Sequence, residues 1–299
     1  MNQFWRARSI FNALLIVCLL SFISAHATQA KLNLPQLRQS IHLSGETSAT
    51  LNDYFLHTPT ARELPPSLHN ALLQGLPKTF IGSCGDLMEA WGGGDARISA
   101  VWQVRLLHSA SGRVWLAFRC SSSESRLADY NDERLALLRV STGVLEMLPL
   151  DPDTKNSDEV HQIDFVQRIP LPGVEGFSFR VKVPQNPCCD GPESRWQERF
   201  MVFVDSPAGV VESLSTVTMQ DDLSHCDDPE VDTETTYNAE IKFVRDSRHF
   251  VIALSAPFHE KVTDTTYESG MAKPHTTSEH SGTLEFRWDG ATLKFMQVH

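Results

Sequence analysis

The sequence predicts a mainly β protein whose antiparallel sheets are assembled from hairpins. Three observations carry that expectation. Between Val160 and Val217, runs rich in Val, Ile and Phe are separated by turns bearing Pro or Gly. Within these runs the apolar residues alternate: Ile163, Phe165 and Ile169 share one parity, and Phe177, Phe179, Val181 and Val183 share another. A period of two places each set on one buried face. Finally, short polar turns carrying Gly112, Gly143, Gly209 and Gly290 each join two strand-like runs. Those glycines follow no fixed period, so a sandwich or curved sheet is expected, with a degenerate propeller as the alternative.

Taken from the N-terminus, residues 1–27 read as an export signal. Arg6 and Arg8 are followed by an apolar run from Ile10 to Ile23 and by the small residues of Ala25-His26-Ala27. An uncleaved membrane anchor is the alternative, because Ser9 to Ala30 carries no formal charge. No later stretch reaches membrane-spanning length, so no span is expected after signal removal. The expected location is the periplasm or the extracellular space.

Residues 28–79 read as a short, partly helical N-terminal arm packing over the later sheet. Ser67 is expected to cap a helix through Leu73, stopped by Gly75 and Pro77. The all-β domain is expected to fill 80–299. It opens with Phe80 to Gly94, where a helical turn at Asp86 to Trp91 leads into Gly92-Gly93-Gly94. That glycine run precedes a strand and lacks the Lys-Ser/Thr of a phosphate loop, so it reads as a turn.

Hairpins follow at Val101–Leu107 with Val114–Phe118 and at Arg134–Val140 with Val144–Leu148. Ala239–Val244 and Phe250–Leu254 form another, turning at Asp246-Ser247. The last alternates Leu284, Phe286 and Trp288, turns through the two residues Asp289-Gly290, and returns with Leu293 and Phe295. Ser121–Asp132, Asp151–Asp158 and Pro184–Pro192 read as loops. The strand pattern is expected to lapse at Gln220–Thr235 and again over the long polar stretch Thr263–Ser281.

The formal charge of −11 opposes binding to a phosphate backbone, so no nucleic-acid partner is expected. Export gives the cysteines meaning, and beyond Cys18 they are Cys84, Cys120, Cys188, Cys189 and Cys226. An odd number leaves one free or joined to another chain. The expected pairing is Cys84 with Cys120 and one of Cys188 or Cys189 with Cys226; a strained Cys188–Cys189 bridge is the alternative. Asp190 beside the cysteine pair opposes thiolate formation, so a staple is expected there rather than a nucleophile. Cys84 precedes the expected helical turn and is the better placed of the thiols for activation, yet it too reads as a disulfide partner.

Asp227, Asp228, Glu230 and Asp232 are the residues a calcium ion would take, since that ion prefers several carboxylates. The spacing lacks the helix-loop-helix calcium pattern, and a solvated acidic loop is the expectation. No other cofactor is expected. His259, His275, His280 and His299 show no metal-binding helical spacing. Gly176-Phe177-Ser178 sits in a strand pattern and lacks the closing glycine of a nucleophile elbow. A glycosidase needs two facing carboxylates, and the sequence nominates no pair. No catalytic residue is assigned. The expectation is a binding or structural module of the cell envelope or extracellular space with a protein or glycan partner. The alternatives are a carboxylate-dependent hydrolase of glycan-type substrates and a calcium-stabilised surface module.

Overall fold

A computed structural model describes residues 40–91, 100–110, 112–122, 132–148, 150, 162–184, 196–224, 231–268 and 271–298. All lie in one compact unit, Gln39–His299. The described chain is mainly β and forms two antiparallel sheets, as the alternation predicts.

After a short strand β1 (Ser40–His42) come three helices: α1 (Gly45–His57), α2 (Pro66–Gly75) and α3 (Lys78–Trp91). The Ser44 hydroxyl accepts the Thr47 N–H at 3.2 Å and starts α1, which buries Thr47, Leu51 and Phe55 at fourfold spacing. In α2 the helix begins at Pro66, one residue before the expected Ser67 cap, and no side chain caps it. Proline suits that first position because it has no N–H to leave unpaired and its φ is already helical. The third helix is longer than the expected turn at Asp86–Trp91 and carries Cys84 in its interior. The helical layer therefore runs on to Trp91, and the continuous β region starts with the strand at Ala100.

The five-stranded sheet is ordered β1-β5-β4-β3-β2, from β2 (Ala100–Ala110), β3 (Arg113–Ser122), β4 (Asp132–Arg139) and β5 (Val144–Met147). One face carries Trp102, Val104, Leu116, Phe118 and Leu138 against Leu51, Phe55, Leu72 and Phe80 of the helices. The other face, with Trp115, Leu135 and Leu137, packs on Phe177, Phe179, Val181, Met201 and Phe203 of the second sheet. β4 shows how one strand serves both layers. Leu135 and Leu137 point to the second sheet, and Ala136 and Leu138 to the helices.

The second sheet is ordered β14-β13-β12-β10-β9-β8-β7-β6. Its strands are β6 (Gln162–Leu171), β7 (Val174–Pro184), β8 (Trp196–Ser206), β9 (Gly209–Ser224), β10 (Val231–Ala239), β11 (Lys242–Arg245), β12 (Val251–Glu268), β13 (Met271–Asp289) and β14 (Lys294–Val298), with β11 pairing β12 beside this path. A third core joins Ile169, Leu171, Phe200, Val202 and Val204 to Val251, Leu254, Phe286 and Phe295. β12 also touches β6, and β14 touches β9, although neither pair is adjacent in the ladder. The second sheet thus curls so that its last hairpins pack against its own first strands.

Four expectations are corrected here. Ile163 and Phe165 face the inter-sheet core, but Ile169 faces the opposite one. A bulge between Phe165 and Gln167 inserts Val166 and reverses the parity. The Ser178 hydroxyl pins it, accepting the Gln167 N–H at 3.3 Å and donating to the Gln167 carbonyl at 2.9 Å. The Thr263–Ser281 stretch is not a loop: it forms the outer halves of β12 and β13, paired from Thr263↔Thr276 to Glu268↔Met271. Likewise, Gln220–Thr235 contributes β9 through Ser224 and β10 from Val231. The Asp289-Gly290 turn is also longer than two residues, because Asp289 pairs with Lys294. Asp289 closes it by accepting the Ala291 N–H at 3.0 Å and the Thr292 hydroxyl at 2.6 Å, with Leu293 at φ 57°.

Candidate functional site

The sandwich has two unlike ends. At one, β2 turns to β3 at Gly112, β4 to β5 at Gly143, β6 to β7 at Gly173 and β8 to β9 at Gly209, all four glycines at positive φ. Gly143 is also crowded, since a Cβ there would strike the Ser48 side chain of α1. At the other end the strands are joined by the long connections 123–131, 151–161 and 185–195, which lie outside the described residues. These connections are polar and rich in acidic residues. Long connections held on a rigid frame are where binding residues concentrate.

Each end is closed by buried charge. At the turn end, Asp205 of β8 has a side chain only 1% exposed. It meets Arg113 Nε at 2.6 Å and takes both Arg139 amines, at 2.7 and 3.1 Å. Arg139 also approaches Glu146 at 3.7 Å, Arg113 approaches Glu175 at 3.7 Å, and Arg168 bonds to Glu175. The two sheets are therefore tied by three guanidinium groups and three carboxylates. The bidentate bond to Asp205 holds the Arg139 guanidinium above its ordinary pKa, against the opposing effect of burial.

At the loop end, Glu133 of β4 is as deeply buried. Its Oε2 accepts the Ile163 N–H at 2.7 Å and Arg105 Nη2 at 2.9 Å, while the same nitrogen donates to the Ile163 carbonyl at 2.7 Å. Burial pushes the Glu133 carboxyl up, and the Arg105 guanidinium pulls it back only in part. Asp164, largely exposed, stands 3.9 Å from Arg105 Nη1 and accepts the Gln162 amide at 2.6 Å. On the same end of β7 and β8, the Lys182 ammonium lies 4.3 Å from the centre of the Trp196 ring. These side chains form the described part of the loop end.

As expected, Cys84 and Cys120 form a disulfide, with Cα atoms 5.4 Å apart. It fastens α3 to β3 near the loop end. Cys188, Cys189, Cys226, Asp227, Asp228 and Glu230 lie outside the described residues, as does His299. The Asp232 backbone pairs with Thr265, so this residue belongs to a strand. His259 bonds to Ser281 at 3.0 Å and lies 3.6 Å from Glu279, while His275 pairs with Asp264 and His280 with Glu260 across β12 and β13. Among the described residues, no group of three or more His, Cys, Asp or Glu is arranged to hold a metal ion. Among the same residues, no helix is long and apolar enough to cross a membrane.

The chain matches no family model, no curated protein and no solved structure. Chemistry has to be judged from the site itself. Ser178 is fully buried and spent on the bulge, and Glu133 is enclosed by the donors it serves. The described residues thus supply a charged frame at the two ends of the strands. Sequence reading missed Arg105, Glu133, Arg113, Arg139 and Asp205. Their signal is legible in β4 in retrospect: Glu133, Leu135, Leu137 and Arg139 share one face, charged at both ends and apolar between.

Proposed function

We propose that this is an exported binding module of the cell envelope or extracellular space whose contact surface is the loop end of the sandwich. One observation carries the reading: four tight glycine turns gather at one end, and at the other, beside the buried Glu133–Arg105–Ile163 clamp, the described strands end where the long acidic segments 123–131, 151–161 and 185–195 begin. The leader over residues 1–27 and the Cys84–Cys120 disulfide support the compartment. The remaining cysteines fit it as well. β7 ends at Pro184, opposite Trp196, and Trp196 pairs with Asp221 near the end of β9. The chain segments bearing Cys188, Cys189 and Cys226 therefore start from the same sheet end, which favours a second staple between them. Peptide mapping without reductant checks this: a Cys226 peptide joined to the Cys188–Cys189 peptide is expected, and a free Cys226 contradicts it.

The partner is a protein or a glycan. The test is a paired screen of the purified mature protein against envelope glycans, for retention and for turnover. Retention without turnover is the expected result. Turnover abolished by Asp164→Asn or Glu133→Gln would instead make the protein a hydrolase. Export is tested by fractionation with N-terminal sequencing, where a chain beginning at Thr28 is expected and an intact cytoplasmic chain contradicts the proposal.

A further inference from the structure

Among the described residues, β2 and β6 are the outermost strands of their sheets, and they touch each other along one side of the sandwich. His108 closes that seam. A bulge between Leu106 and His108 turns the imidazole inward, where it lies flat on Phe165 with ring centres 4.4 Å apart and planes 2° from parallel. Phe177 is 5.9 Å away, and Trp115 is its cross-strand neighbour on β3. Among the described residues, His108 Nε2 is buried without a hydrogen-bond partner, and the same holds for Trp115 Nε1. The neutral ring is thus used as an aromatic plate.

The charges around it leave no place for an imidazolium. From β6 and β7 it faces Arg168 and Glu175, and the Glu175 carboxylate is already shared between Arg168 and Arg113. On β3, Arg113 is held by Asp205; on β2 itself, Arg105 is held by Glu133. A proton on His108 would put a cation near the Arg168 guanidinium and leave a charged Nε2–H buried without an acceptor among the described residues, a cost that contact with the phenyl faces offsets only in part.

We propose that His108 is an acid-sensitive latch on the β2–β6 seam, sealing it when neutral and loosening it when protonated. Burial and Arg168 hold the imidazole below the usual histidine range, with Glu175 pulling weakly the other way. The folded chain therefore binds this proton less tightly than the unfolded chain. The stability contributed by neutral His108 is fully present above the unfolded value of about 6.5 and drains away as pH falls below it. Opening the seam would expose the buried Phe177 and uncover the rest of Phe165, which is half-buried at neutral pH.

The test is amide hydrogen exchange on the full mature protein, corrected for intrinsic rates, as pH is lowered below the histidine range. Protection in β2 and β6 should fall by about tenfold or more while β3 and β8 hold. In His108→Phe, which keeps the stack and cannot be charged, that loss should vanish. Equal loss in the variant, or retained protection in the wild type, overturns the proposal. Titration of the His108 ring by NMR is independent of the variant. A midpoint below the free-histidine value is expected, and one at or above it also overturns the latch.

Discussion

The turn end and the loop end of the sandwich are built from the same materials, inward-facing charges on strands whose middles are apolar, yet they are organised oppositely. At the turn end, connections are as short as glycine permits, and one carboxylate, Asp205, gathers two guanidinium groups. At the loop end, a single arginine and a single backbone amide serve Glu133, and the chain then departs in long connections. One end ties the two sheets together; at the other, the strands give way to long polar segments. Stability and recognition are therefore expected to separate along the strand axis.

The largest effect should come from breaking the turn end. Asp205→Ala strips Arg113 and Arg139 of their shared acceptor, and because both arginines are partly exposed the cost should be about 3 kcal/mol rather than the full penalty of a buried pair. Urea denaturation measures it. Removing the Cys84–Cys120 bridge by double serine substitution should cost about 3 kcal/mol, from a sequence separation of 36. Only the oxidised wild type should lose that increment on reduction.

Glu133→Ala sharpens the contrast. It leaves the Ile163 N–H without its acceptor but affects fewer charges, so about 2 kcal/mol is expected. A cost equal to or above that of Asp205→Ala would erase the distinction between the ends. The pH dependence differs too. Because burial raises the folded Glu133 pKa, folding takes up a proton there. Its contribution grows as pH falls through the folded value and is complete below the unfolded one, at about 4.3. Glu133→Gln should flatten that part of the stability profile.

Gly143→Ala should cost about 1–2 kcal/mol, from a positive φ and the clash with Ser48, readable as a lowered melting temperature. The smallest change is expected at the loop end itself. Exposed Asp164→Ala should move stability by no more than about 0.5 kcal/mol.

Much of this frame was legible in the sequence. The alternation at Phe177–Val183 and the glycine turns predicted sheets and hairpins because both signals are local. What escaped depended on partners distant in sequence or on patterns without contrast. Ile169 changed face because one inserted residue, Val166, is invisible to a parity count. Thr263–Ser281 lacks alternation because polar residues occupy positions of both parities there, and none of the described side chains of Pro257–Thr283 belongs to an apolar core. The first helix was missed because Ser44 and its threefold-spaced partner Thr47 do not resemble a carboxylate capping box. Of the site, the disulfide was foreseen from export and spacing. The charged clamps were not, since the contacts of Glu133 with Ile163 and of Asp205 with Arg139 exist only once the sheets are stacked.

The claim that recognition belongs to the loop end is tested most directly by photo-crosslinking in cells of the native source. A photoreactive residue is placed at Gln162, Asp164 or Trp196 on one end and at Thr142 or Ala208 on the other. Partner adducts should form from the first set and be absent from the second. Adducts from Thr142 and Ala208 alone, or equally from both ends, would contradict it.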